Sequence, residues 1–135
     1  MEEETLSESF WGVARRLRHL SRETLAPWDI TPSQSRALSV LMRAGTLRPS
    51  ELAEHLHIAP RSATEVVDDL QERGLVERHP DPADRRATLV ALTDAGTAAG
   101  QAIAAARQAE AEGFFAALSE ADRADLSRIL RKLRD

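Results

Sequence analysis

Only three residues, His57-Ile58-Ala59, separate the apolar face Leu52, Ala53, Leu56 from Pro60, which stands where a new helix starts. Two short helices joined by so tight a turn are a candidate helix-turn-helix. The first restarts helical structure at Pro49. The second, Pro60 to Arg73, places Ala63, Val66, Val67 and Leu70 at i, i+3, i+4, i+7, and Gly74 follows where a left-handed cap is wanted.

The flanking segments fit around this pair. Thr31-Pro32-Ser33-Gln34 supplies an N-cap hydroxyl, a first-turn proline and a reciprocal acceptor, predicting a helix with Leu38, Leu41 and Met42 inward that ends at Ala44-Gly45. After Gly74, Leu75 to Arg78 reads as one strand and Ala87 to Leu92 as another. The stretch between them, HPDPADRR, carries two prolines and is expected to hold no regular element, giving a hairpin with a polar tip.

At the chain ends, Leu6, Phe10, Val13, Leu17 and Leu20 recur at helical spacing to about Glu23, before Pro27 interrupts. Thr93 caps a long alanine-rich helix reaching about Ala117, and Ser119-Glu120-Ala121-Asp122 reads as a capping box for a last helix with Leu126, Ile129, Leu130 and Leu133 inward. The expected fold is mainly α with a small β-hairpin wing. One domain spans 1–135: a winged helix-turn-helix over 31–92, and a helical dimerisation region from 5–24 and 94–134. Both terminal helices carry an apolar stripe that the unit between them covers only in part, so pairing with a second copy is the economical solution.

The composition, 42% apolar, 30% charged and 4% aromatic over 135 residues, is that of an ordinary globular domain able to build its core without a staple. With no Cys, disulfides, thiolate metal sites and cysteine nucleophiles are excluded together. No apolar run approaches the roughly 18–20 residues of a membrane span, and the acidic opening MEEETLSESF is unlike a signal peptide, so a cytoplasmic protein with no membrane partner is expected. His55-x-His57 lacks the i, i+4 spacing of a helical zinc pair, and neither a phosphate loop nor a Ser/His/Asp constellation appears. No metal, cofactor or catalysis is expected. The net charge, 18 minus 22 or −4, does not favour nucleic acid. Yet 17 of the 18 basic residues are Arg, whose planar forks suit phosphates and base edges, so their placement decides.

Taken together, ITPSQSRALSVL, LRPSELAEHLHIAPRSATEVVDDL, LQERGLVERHP, DPADRRATLVA and LTDAG strongly resemble the winged helix-turn-helix of the MarR family of bacterial transcriptional regulators. The resemblance is close over about residues 30 to 97 and extends outward in the order and length of the flanking helices. It implies a homodimeric regulator, in the repressor mode, whose terminal helices interlock while each winged domain sits on one turn of double-stranded DNA. Half-sites about 34–36 Å apart would make the operator pseudo-palindromic. It also allows release by a small aromatic or phenolic effector.

The resemblance gives individual residues roles. Arg61 would fork onto guanine or a phosphate, Ser62 and Thr64 would reach phosphate or base edges, and Glu65 would accept from cytosine. The bland alternative is an i, i+4 pair of Arg61 with Glu65 on a solvated helix. At the wing tip Arg86 would enter the minor groove with Asp84 orienting its guanidinium, and Arg85 would meet phosphate; alternatively Asp84 and Arg86 form only a local turn pair. Arg48 and Ser50 are candidate phosphate contacts, or merely solvated. Arg128, Arg131, Lys132 and Arg134 read as a solvated helix face. An effector pocket would lie near Trp28, Arg36 and Trp11, although tryptophans are more often core. The rival from another class is a winged-helix module for protein contacts or dimerisation without specific DNA binding.

Overall fold

Among the described residues, 3–134 of a computed structural model, the chain forms six α-helices and one antiparallel hairpin. In order these are α1 (Leu6–Leu25), a 3-10 turn (Ala26–Trp28), α2 (Pro32–Ala44), α3 (Pro49–Leu56), α4 (Pro60–Glu72), β1 (Val76–Asp81), β2 (Asp84–Leu92), α5 (Asp94–Phe115) and α6 (Glu120–Arg134). The architecture is a winged helix-turn-helix with helices added at both ends.

Local chemistry sets most boundaries. The capping box at α2 forms as expected: Gln34 N–H donates to Thr31 Oγ1 and Thr31 N–H to Gln34 Oε1, both at 3.1 Å. A second box, Thr5 with Glu8, starts α1. Gly45 and Gly74 both take positive φ, at 78° and 73°, and end α2 and the α4 turn where a side chain would be strained. Thr93 joins the wing to α5: its hydroxyl donates to Gly74 O at 2.6 Å while accepting from Gly96 N–H at 3.0 Å. Three ends differ from expectation. Helix α1 runs on to Leu25, with Pro27 inside the 3-10 turn; α5 stops at Phe115; and the box at α6 is one-sided, Asp122 N–H donating to Ser119 Oγ at 3.1 Å without a return bond.

The hairpin corrects the sequence reading. Strands occupy most of the stretch expected to be irregular, leaving Pro82-Ala83 as the connection. Two features allow this. Strand β1 is the free edge, where proline is tolerated, because the other side of β2 is bridged by Leu47 to Val90. The aspartates also close local turns, Ala83 N–H donating to Asp81 Oδ1 at 2.9 Å and Arg86 N–H to Asp84 Oδ1 at 3.0 Å.

The core lies inside the winged unit. Leu38, Leu52, Leu56, Val67, Leu70, Val76 and Val90 are all under 2% exposed, joined by Leu25 from α1 and Ile103 from α5. Burying each such side chain contributes about 1.5–3 kcal/mol relative to leaving it in water. The terminal helices are different: α1 buries only Leu25, and α6 buries none of its residues.

Candidate nucleic-acid interface

Because Ala63, Val67 and Leu70 face the core, α4 turns Arg61, Ser62, Thr64 and Glu65 outward, and all four are exposed. Its N-cap is Ala59, which offers no side-chain acceptor, so the first-turn N–H groups are left for other partners. The hydroxyl of Thr64 donates back to Pro60 O at 3.0 Å. Among the described residues no ion pair joins Arg61 to Glu65; the acids farther along α4 are the ones engaged. Arg78 on β1 donates to Asp68 Oδ1 at 2.7 Å and also to Gln71, while Asp69 Oδ2 accepts from Gln34 Nε2 at 3.3 Å. At its end, Arg73 reaches Trp28 O at 3.3 Å and Asp29 Oδ2 at 3.4 Å. The second half of α4 is thus braced by the protein itself, and its first half is left free.

The wing, braced through Arg78 on the second half of α4, carries Arg85 and Arg86, both exposed. Asp84 does not hold the Arg86 guanidinium; its carboxylate accepts the Arg86 backbone N–H, because so short a turn brings the amide nearer than the long side chain. The wing carboxylate that does hold an arginine is Asp81. Arg48 donates to Asp81 Oδ2 from Nε at 3.1 Å and from Nη2 at 2.8 Å. The Ala83 N–H and then this guanidinium hold the Asp81 carboxyl below its ordinary range, and Asp81 keeps Arg48 still more firmly protonated. Ser50 is exposed in the first turn of α3. Asp81 and Arg78 escaped the sequence reading, since their partners lie 33 and 10 residues away.

A second feature lies between α2 and α5. A groove of about 440 Å³ has Leu38, Met42 and Ile103 in its lining, with Arg36, Arg43 and Arg107 around them. Arg107 ties three helices together, donating to Ser35 Oγ and Ser21 Oγ, each at 3.1 Å. Of the three residues expected near an effector, the structure brings only Arg36 to this groove, its guanidinium also donating to Leu56 O. Trp28 packs half-buried against the core, and Trp11 is 55% exposed, edge-on to Phe10. Among the described residues there is no cluster of three metal-ligating side chains and no helix long and apolar enough to cross a membrane.

Residues 28–87 match the profile of the MarR family. The HTH-type transcriptional repressor MdtR of Bacillus subtilis is 30% identical over 125 residues, which cover 93% of this chain and 81% of the relative. The chain belongs to the MarR family. Among solved structures, an Escherichia coli MarR variant complexed with operator DNA superposes on this MarR-family chain with a TM-score of 0.83 and 30% identity, covering 95% of this chain and 92% of the other. Bordetella bronchiseptica BpsR, in a structure addressing regulation of its DNA binding by 6-hydroxynicotinic acid, gives a TM-score of 0.83 at 25% identity, covering 98% and 94%.

Proposed function

We propose that this MarR-family protein is a homodimeric transcriptional repressor that binds duplex DNA, acting in the cytoplasm by occupancy and not by catalysis. The observation that carries the reading is the uncapped, outward-facing start of α4 on a helix whose second half braces a hairpin with exposed Arg85 and Arg86 at its tip. Arg61, Ser62, Thr64 and Glu65 enter the major groove, where a guanidinium fork reads guanine and free helix N–H groups meet phosphate. Arg86 follows into the adjacent minor groove, where narrow A·T-rich segments concentrate negative potential, while Arg85 and Ser50 meet phosphate. The net charge of −4 is a property of the whole chain; along α4, Asp68 is paired with Arg78 and Asp69 is hydrogen-bonded to Gln34, so the outward start of the helix keeps Arg61 unpaired by them. The region 31–92 is the DNA-binding unit, and 5–24 with 94–134 forms the dimer. The apolar residues left open on the terminal helices, Leu6 at 88% and Leu133 at 71% exposed among them, support this second role.

The groove between α2 and α5 supports effector release. An apolar floor with three arginines around it suits a small aromatic or phenolic ligand bearing negative charge. Such a ligand shifts the protein toward a non-binding spacing of the two α4 helices only by its differential affinity for that state.

The test is gel-shift titration over a salt series with the DNA upstream of the protein's own gene. The expected slope of log affinity against log salt is steep, about −0.9 per phosphate contact. Arg61→Ala and Arg86→Ala should each cost about 1–3 kcal/mol of specific binding. Flat binding, or none at any salt, overturns the reading and favours the protein-contact module, on which both variants would be silent.

A further inference from the structure

The wing tip is held less by its own ladder than by a residue from outside it. Register runs from Val76↔Leu92 to Pro80↔Thr88, then slips, so that Asp81 faces Asp84 and Arg85 to Ala87 have no partner across the hairpin. Backbone pairing alone therefore leaves the direction of Arg85 and Arg86 open. The root, by contrast, is fixed twice. Leu47 and Val90 exchange backbone bonds of 3.1 and 2.7 Å, and Arg78 braces β1 on α4. Arg48 follows Leu47 directly, stands at the N-cap position of α3 where its backbone N–H donates to Glu51, and extends from this fixed root to the tip, placing two N–H donors on Asp81 Oδ2. The other oxygen of Asp81 takes the Ala83 N–H at 2.9 Å, and the residue is only 9% exposed although its neighbours Pro82 to Arg86 are all exposed. One carboxylate thus ties α3 to the turn from which both tip arginines emerge.

We propose that Arg48 and Asp81 form a latch that aims Arg85 and Arg86 at the minor groove, so that Arg48 is a positioning residue acting through Asp81 and not a phosphate contact. The inference rests on the DNA-binding role of the wing proposed above. Its sign is distinctive. Asp81 is an acid beside a polyanion, so removing its charge should strengthen DNA binding if only the general field matters, and weaken it if the carboxylate sets the wing.

The probe is the duplex that the wild-type protein enriches from a random library, with a scrambled duplex as control. Asp81→Asn keeps an oxygen for the Ala83 N–H and loses the charged partner of Arg48. It should bind the duplex about tenfold more weakly, as expected for coupled residues. Hydroxyl-radical protection should vanish in the flanking minor groove while major-groove methylation protection persists. Arg48→Gln should cost as much alone and add nothing in the Asp81→Asn background, with no change in salt slope there. Arg48→Lys, which keeps the charge but not the fork, should fall between and serves if Asp81→Asn does not fold. Backbone amide exchange across 83–87 in the free protein should rise in each variant. Equal or tighter binding by Asp81→Asn overturns the latch. So does a loss from Arg48→Gln that is the same in both backgrounds and lowers the slope by about 0.9, the mark of a phosphate contact. A wild-type protein that enriches no duplex overturns the DNA-binding reading itself, and the latch's role on DNA with it.

Discussion

Between Pro32 and Leu92 the apolar periodicity finds its partners inside one chain: Leu38 and Leu41 from α2, Leu52 and Leu56 from α3, Val67 and Leu70 from α4, and Val76 and Val90 from the hairpin are all buried. On α1 the same periodicity is met only in part, with Leu17 and Leu20 half-buried and Leu25 buried, and on α6 no residue is buried. Phe10 and Val13 remain 50% exposed, and Ile129, Leu130 and Leu133 open to solvent on α6. Two regions with equally regular stripes thus end in opposite environments. An amphipathic pattern states that a face will be covered without saying whether the cover belongs to the same molecule.

The largest expected effect separates the two regions directly. Leu52→Ala, at a site with no exposure, should cost about 2–5 kcal/mol of folding stability at any protein concentration. Leu133→Ala, on the open face of α6, should leave the winged unit unchanged. It should instead lower a melting temperature that depends on concentration, as for any contact made between copies. Chemical denaturation of both variants at two concentrations checks this, and a concentration-independent loss at Leu133 would break the distinction.

A smaller effect is expected where the regions meet. A Cβ at Gly96 would collide with the Leu75 carbonyl, its carbon only 2.8 Å away, and that backbone is anchored by the Thr93 N–H at 3.1 Å. Gly96→Ala should cost about 1–3 kcal/mol through a shift of α5 against the wing. Thermal melting reads the cost, and a silent substitution would mean that the junction is looser than drawn.

The smallest concerns acidity. The native Asp81 carboxyl lies below its ordinary range, chiefly through the Ala83 N–H and then through Arg48, so its contribution to stability is present above the unfolded value and lost as pH falls through the native one. The stability gap between wild type and Asp81→Asn should therefore hold at neutral pH and close in acid below the usual carboxylate range. A gap that stays constant into acid would contradict the ionised pair.

What the sequence made legible is what local chemistry decides. The Thr31–Gln34 box, the positive-φ glycines and the Thr93 cap lie within a few residues of their partners, and they form as expected. The first half of α4 is legible for the same reason, since Ala63, Val67 and Leu70 fix which face is left outward. The wing's strands run longer than the prolines suggest, because an edge strand tolerates Pro80 and two aspartates close the turns. The partners of Arg48 and Arg78 were illegible because long-range pairing depends on how α3, α4 and the hairpin pack, which no spacing encodes. The groove by Arg36 forms between helices whose nearest ends lie 50 residues apart, and residue type alone does not bring Trp28 or Trp11 to it.

Sedimentation equilibrium of the protein alone and on the enriched duplex tests the central claim most directly. The account predicts two chains in solution and two chains on one duplex carrying half-sites a helical turn apart. A single chain in both states would contradict it.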